Sequence, residues 1–592
     1  MMFKIPEAAI SCYLVIFLMK PDAVVNIGTG VGLLVLLPGL ITFLVWLINL
    51  TNGSTIHIMA AISITSVFLV YIGASSQLGE QGNVAALIIA FLLTLIVRAP
   101  FGEAASFALR EAWAMAAMPM VLMIVFNFLL GFSPVALLRD KLLARLLATI
   151  AALKDGNSTS LHKYLHEGNA PYEAQAFVVR VFRLAPSDSA QQIATDIRAS
   201  FALMVAVSAL PEWIPKSRRV ALAEAINEVF ESLERGLTPQ RPPYVLPGDA
   251  DAAEIAAWRG LHLLAGEPEV EVVSRPKTPF FAADALSNPA YTRFALKTTL
   301  AAVICFLIYT AIDWQGIHTA MITCYVAALA TTAETIHKLV LRIIGCLLGA
   351  ALGIGAIFWV IPLVDDIGSL MVLVFLGCLI GAWISTGPER ISYAGVQVAL
   401  AFLLTVLQGF GPSLSLETAQ GRIFGILLGN TVVYLVFTRL WSASLEGEIR
   451  LLFARALSEL AMIARLPPNH RVNAIGSVAE IESIVGKCEE VLDILPFEPR
   501  HMRPSSERES ALNDAVNEIK ELNRKIWLNN EVDLKGMAEQ LEWLAQRFQE
   551  KVKGPKDKAS SYLPEKRDRL DDSDSIDAQS SYTLDRIRRA AL

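Results

Sequence analysis

Charge is what this chain is short of. Only 18% of its 592 residues are Asp, Glu, Lys or Arg, against about a quarter in soluble proteins. The net charge of −6 is spread along the chain, and no basic patch with interleaved aromatics is present. That excludes nucleic acid as an expected partner. Cysteine is scarce too: six residues, with no CxxC pair and no spacing of a disulfide framework or a metal cluster. Cys12, Cys305, Cys324, Cys346 and Cys378 lie inside apolar runs and read as small core residues. There is no P-loop, no Gly-rich nucleotide loop and no Ser-His-Asp pattern. The expectation is therefore no enzyme, no cofactor, no metal, and no ATP-driven work by this chain alone. No small-residue cleavage site follows the first apolar run, so it does not read as a removable signal peptide.

What is abundant is apolar length. Hydrophobic residues make up 54% of the chain, and the mean hydropathy is +0.49. They concentrate in two blocks, 6–131 and 294–438, with runs near the roughly 20 residues that cross a bilayer. The fold class expected is an all-α polytopic membrane protein. It has two membrane blocks of about five and six helices, each followed by a helical domain. Helices are predicted at 6–19, 24–50, 55–75, 82–98 and 104–131, then at 294–312, 316–330, 339–361, 367–386, 391–410 and 418–438. Lys338, Arg342, Arg390 and Arg439 fall on one side of the second block, and Asp313, Asp365, Asp366 and Glu417 on the other. The positive-inside rule places the first set, and both polar domains, in the cytoplasm. The expected boundaries are 1–133 and 289–440 for membrane, and 134–288 and 441–552 for helical domains. From 553 to 592 the chain is polar and poor in large apolar groups, and is expected to be disordered.

The two blocks echo each other. Ile10-Ser11-Cys12-Tyr13-Leu14 resembles Ile322-Thr323-Cys324-Tyr325-Val326, each followed at equal spacing by an acid, Asp22 or Glu334. In this register the first block lacks a counterpart of helix 294–312: either Met1 sits on the outer side of the membrane, or, as expected here, a first helix lies upstream of Met1. A second repeat lies inside the later block. Arg342-Ile343-Ile344-Gly345-Cys346-Leu347-Leu348-Gly349 recurs as Arg422-Ile423-Phe424-Gly425-Ile426-Leu427-Leu428-Gly429. The predicted topology runs the two copies in opposite directions, the trace of an inverted repeat. Glycines at four-residue intervals, Gly345, Gly349, Gly353 and Gly421, Gly425, Gly429, leave bare faces on which helices approach closely.

Arginine in a membrane is costly, roughly 2.5–3.5 kcal/mol on insertion scales, so it has a partner or a task. Arg342 and Arg422 are read near helix ends, where they either snorkel or meet an anionic substrate. Arg110, the first block's analogue of Arg422, has Glu111 beside it. His318 is either a helix-end hydrogen-bonder or a proton carrier. Gln397 either bridges helices or lines a cavity. Asn127 and Asn430 are further polar candidates. His162 and His166, four apart with no third ligand in view, read as a surface helix end.

The runs Pro289 to Lys297, Asp313-Trp314-Gln315-Gly316-Ile317-His318-Thr319 and Leu341-Arg342-Ile343-Ile344-Gly345 together resemble the fusaric-acid-resistance (FUSC) family. Glu389-Arg390-Ile391-Ser392-Tyr393 and the Arg422 motif fit the same pattern. The resemblance implies two six-helix membrane blocks, each with a cytoplasmic helical domain. It also implies export of aromatic acids or amphiphilic drugs across a Gram-negative inner membrane, with a periplasmic membrane-fusion adaptor and an outer-membrane channel. It assigns no site residues. The function expected is proton-coupled export by a homo-oligomer, using alternating access between the halves. Arg342 and Arg422 would attract an anion, Trp314, Tyr325, Tyr393 and Gln397 would contact it, and His318 would carry the proton. A gated organic-anion channel and a non-transporting membrane scaffold are the alternatives.

Overall fold

Long runs of Leu, Ile, Val and Ala can satisfy their backbone in lipid only as helices or closed barrels, and helices are what form. The structure is a computed structural model. It describes residues 8–51, 54–96, 103–243, 247–266, 279–282, 284–314, 319–363, 365–408, 411–412, 416–529, 532–553 and 578–591. The first membrane half supplies α1 (Ala8–Leu18), α2 (Ala23–Thr51), α3 (Thr55–Ser75), α4 (Glu80–Ile96) and α5 (Glu103–Leu130). A polar stretch follows as α6 (Pro134–Asp155), α7 (Thr159–His166), α8 (Ala170–Val181), α9 (Ser187–Ser208), α10 (Lys216–Glu234) and α11 (Ala252–Leu264). The second half is α12 (Pro289–Ala311), α13 (Thr319–Ala327), α14 (Thr332–Gly355), α15 (Ile367–Ser385), α16 (Glu389–Val406) and α17 (Leu416–Arg439). The chain closes with α18 (Leu445–Arg465), α19 (Pro468–Arg471), α20 (Ile475–Asp493), α21 (Ser506–Leu528), α22 (Lys535–Lys553) and α23 (Ala578–Ala591). Among the described residues the only strands are β1 (Leu407–Gln408) and β2 (Gly411–Pro412), a short antiparallel pair.

Seven of these helices are long and apolar enough to cross a membrane: α2, α3, α5, α12, α14, α15 and α17. The apolar stretches of α4 and α16 are shorter, and α1 and α13 span 11 and 9 residues.

The start of α14 and the chain end depart from expectation. Helix α14 begins at Thr332, not 339. Thr331 and Glu334 form a reciprocal capping box there, which satisfies the free N–H groups of the first turn. Arg342 therefore lies ten residues, about 15 Å, along the helix rather than at its end. The tail is not disordered throughout. Residues 554–577 lie outside the described residues, but Ala578–Ala591 forms α23. Leu584, Ile587 and Ala590 are buried along it, and Arg586 pairs with Asp514 (2.9 Å) and Glu518 (2.5 Å) on α21. Its apolar residues are few but share one face, which composition alone does not weigh.

The chain divides into two compact units. One comprises residues 1–131, 278–444 and 496–501, and holds both membrane halves. A single core joins them, with Leu44, Ile62, Val70 and Leu93 of the first half packed among Ala302, Tyr325 and Phe437 of the second. Tyr325 and Ser66 are hydrogen-bonded at 2.7 Å across this contact, and Lys338 pairs with Glu80 at 2.9 Å. The glycine rows act here. A Cβ on Gly345 or Gly349 would meet the backbone oxygen of Ala394 or Val398 on α16 at 2.5 and 2.3 Å. One on Gly353 would meet Thr405 Cβ at 2.7 Å. Gly429 stands in the same relation to Ala320 on α13, at 2.6 Å. Gly421 and Gly425 are buried.

The other unit contains residues 132–277, 445–495 and 502–592. The sequence reads two helical domains here; the two polar segments instead share one unit. Arg259 donates to Asn473 (3.3 Å) and Arg524 to the Ser208 carbonyl (3.2 Å) between them. Arg145 is fully buried and donates to Asn169 and the Gly168 carbonyl, both at 3.0 Å. His166 ends α7, and both it and His162 are half-buried, with His166 Nδ1 3.4 Å from Glu489.

Candidate functional site: a cavity shared by the two membrane halves

A cavity of about 240 Å³ opens inside the membrane unit. Helices α1, α2, α4 and α5 of the first half wall one part of it. Helices α13, α14, α16 and α17 wall the other. Its lining is almost wholly apolar, with Leu40, Leu87, Phe91 and Trp113 from the first half and Ile322, Leu400 and Ile426 from the second. Among the described residues, the charged side chains in that lining are Arg342 and Arg422, and none of the lining residues is a carboxylate.

The capping box that starts α14 early carries Arg342 into the packed interior, where it is 2% exposed. Its Nε donates to Thr323 Oγ1 (3.2 Å) and its Nη1 to Tyr393 Oη (3.1 Å) and Gln397 Oε1 (2.9 Å). These three acceptors are neutral and hold the guanidinium in place. Arg422 enters from near the start of α17. It is half-buried and donates to the Leu404 carbonyl. The Gly345 and Gly349 contacts set α14 against α16, which brings Arg342 within reach of Tyr393 and Gln397. Two spare polar groups stand close by. Thr319, in the cavity wall, has a buried hydroxyl without a hydrogen-bond partner among the described residues, and so does the Gln397 amide nitrogen.

The remaining candidates are placed as follows. Tyr393 orients Arg342 from behind, and its ring lies 5.3 Å from Lys338 Nζ. Tyr325 is 1% exposed and faces Ser66, a contact between the halves and not a wall of the cavity. Trp314 is 41% exposed and tilts against Phe424, with ring centroids 5.5 Å apart. His318 lies outside the described residues. Arg110 pairs with Glu111 at 2.9 Å. Asn127 accepts from Asn26 (2.8 Å) and Asn430 donates to the Leu339 carbonyl (3.3 Å), both helix-bridging roles. The aromatic groups that do line the cavity, Phe91 and Trp113, were not singled out from the sequence. Their only signal was position on helices paired across the halves, which no local motif records.

Known proteins point the same way. Residues 303–436, nearly all of the second membrane half, match the family described as fusaric acid resistance protein-like. That stretch resembles the fusaric-acid-resistance family, and seven helices of the chain are long and apolar enough to cross a membrane. In particular the chain is similar to the multidrug resistance protein MdtO of Escherichia coli strain K12 and of Shigella flexneri, at 32% identity over 290 residues. The match covers 47% of this chain and 42% and 43% of those relatives, so it spans about two-fifths of their length.

Proposed function

We propose that this protein is an efflux transporter of the bacterial inner membrane that exports amphiphilic organic anions, aromatic carboxylates foremost. One observation carries the proposal: a cavity walled by both halves, lined mostly by apolar groups, whose charged groups among the described residues are the guanidiniums of Arg342 and Arg422. Such a site pairs an anionic head with positive charge and buries an apolar body, which is how small-molecule sites combine affinity with orientation. Its 240 Å³ lies below the roughly 300–1,000 Å³ of drug-sized sites, which favours a compact, single-ring solute.

Arg342, held rigidly by Thr323, Tyr393 and Gln397, is the fixed anchor. Arg422, half-buried in the cavity wall, is the group that engages and releases the anion. Phe91 and Trp113 offer ring faces. Alternating access would come from movement of one half against the other around this cavity. The corresponding close contacts made by Gly349 and Gly429 support the inverted-repeat reading. Proton coupling through His318 rests on the sequence alone. A cytoplasmic position for the polar unit rests on the loop charges, and work with a periplasmic adaptor and an outer-membrane channel rests on the family resemblance of the sequence.

The test is export of a labelled aromatic acid from cells with equal amounts of wild type, Arg422→Ala and Arg422→Lys. Loss in the alanine variant with partial recovery in the lysine variant supports the site. Unchanged export in both sinks it. Ion currents reversing at the anion equilibrium potential, without proton movement, would replace the transporter by a channel.

A further inference from the structure

A charged side chain inside a membrane helix calls for a partner or a task, and α12 buries a lysine. Lys297 is 2% exposed, eight residues and about 12 Å along the helix from Pro289. Arg293, one turn nearer the helix start, is exposed. Lys338 pairs with Glu80, whereas no carboxylate reaches Lys297 among the described residues. Helices α3, α13 and α17 pack on α12. Of their titratable groups, Tyr71, Cys324 and Tyr325 are engaged with the Ala285 carbonyl, Cys305 and Ser66. His57, Tyr434 and Arg439 are exposed, and Arg422 is in the cavity wall. The carboxylate among them is Glu417, twenty residues and about 30 Å of helix before Phe437. Asp284 before α12 binds Asn288 and Tyr291, and Glu334 on α14 binds Thr331.

What Lys297 does touch is a built contact. Its Nζ donates to the Trp441 carbonyl (3.2 Å) and lies 4.6 Å from the centre of the Phe437 ring. Trp441 follows α17 in the left-handed conformation, at φ 41°, which a bulky residue rarely adopts. A carbonyl just past a helix C-terminus and an aromatic face attract an ammonium without the lock of an ion pair. The same turn ties together the helices that carry the two cavity arginines. Helix α17, with Arg422, ends at Arg439. Thr332, the first residue of α14, donates its N–H to the Ala443 carbonyl (3.1 Å) and accepts the Ala443 N–H at Oγ1 (3.2 Å). A grip on residues 441–443 therefore acts on both arginine-bearing helices.

We propose that Lys297 carries the proton that drives export. Charged, it clasps the turn at Trp441 and holds α17 and α14 in one position. When it gives its proton to water, the N–H electron pair stays on nitrogen and the attraction to carbonyl and ring weakens. The two helices are then free to move around the anion. The clasp is closed in the empty carrier and open in the loaded one. This rests on the export reading above, and it assigns the proton to Lys297 in place of His318.

The test uses the full chain in proteoliposomes with radiolabelled terephthalate. That one-ring aromatic carboxylate stays ionised near neutral pH and so does not leak through lipid. Two rates are measured: exchange against unlabelled terephthalate at equal pH, and uptake driven by an acidic lumen. Lys297→Met, fixed in the uncharged state, is expected to keep exchange within about twofold of wild type and to lose about tenfold or more of the driven uptake. Lys297→Arg keeps a charged donor for the Trp441 carbonyl but does not give up its proton. It is expected to lose the driven uptake to the same degree. A lysine with only a structural role predicts the reverse, arginine close to wild type and methionine inactive in both assays. Near wild-type driven uptake in either variant overturns the proposal, as does loss of exchange in the methionine variant. Wild type that exchanges no terephthalate overturns the export reading itself.

Discussion

Arg342 and Arg422 begin copies of one motif, yet their surroundings differ. Arg342 is fully buried with three side-chain acceptors, while Arg422 is half-buried on a carbonyl. Replacing Arg342 by alanine strips Thr323, Tyr393 and Gln397 of a donor. Each orphaned buried group costs about 1–3 kcal/mol, so Arg342→Ala is expected to lower both the melting temperature in detergent and export. Arg422→Ala is expected to abolish export while moving the melting temperature little, and a thermal shift assay beside the efflux assay separates the two. At this scale the sequence was legible in part. It named both arginines, Tyr393 and Gln397. It misjudged Arg342's depth, although the Thr331-x-x-Glu334 signature that sets the helix start was there to read. Trp314 and Tyr325 drew attention as aromatics near motifs. Whether a ring faces a cavity or a neighbouring helix depends on partners hundreds of residues away.

Among elements, glycine spacing made α14 and α17 recognisable as close-packing helices, and the contact distances give the reason. Gly349→Ala would place a methyl 2.3 Å from the Val398 oxygen, a backbone atom that cannot move aside. The expected outcome is a loss of several degrees in melting temperature, because α14 and α16 must separate. Gly28→Ala on α2 is the control, with nothing within 4 Å of the new methyl, and should leave the melting temperature unchanged. Helix α23 offers a different case. Its core contact rests on Leu584, Ile587 and Ala590. Ile587→Asp is expected to release the helix and make the chain end cleavable by trypsin at Arg588 and Arg589, whereas wild type is protected there.

For the whole molecule, the polar unit sets a pH dependence with two opposed parts. Burial raises the Asp196 carboxyl to about 7, partly offset by the hydrogen bond from Gln192. A carboxyl raised in the fold binds more protons than in the unfolded chain, so stability falls as pH rises from about 4 to 7. Burial lowers His162 and His166 to about 4, with Lys520 and Arg524 adding repulsion. Their contribution is present above the ordinary histidine value and is lost as pH falls from 6.5 to 4. Asp196→Asn is therefore expected to raise the melting temperature at pH 8 and to do little at pH 4. His162→Gln with His166→Gln should flatten the loss on acidification. Melting curves across pH 4–8 check both signs.

Hydrophobic length and loop charge by themselves determined that this chain is a membrane protein of two helical halves with polar helical segments after each. These are local quantities: a run of twenty apolar residues must be a helix in lipid whatever surrounds it. The helix order, the glycine rows and the paired arginine motifs were local in the same sense. Only the tertiary structure decided which helices face one another. That put both arginines into one cavity with Phe91 and Trp113, and joined the two polar segments into one unit. Such contacts depend on side chains far apart in the chain meeting at a few tenths of an ångström tolerance, which no window of sequence contains.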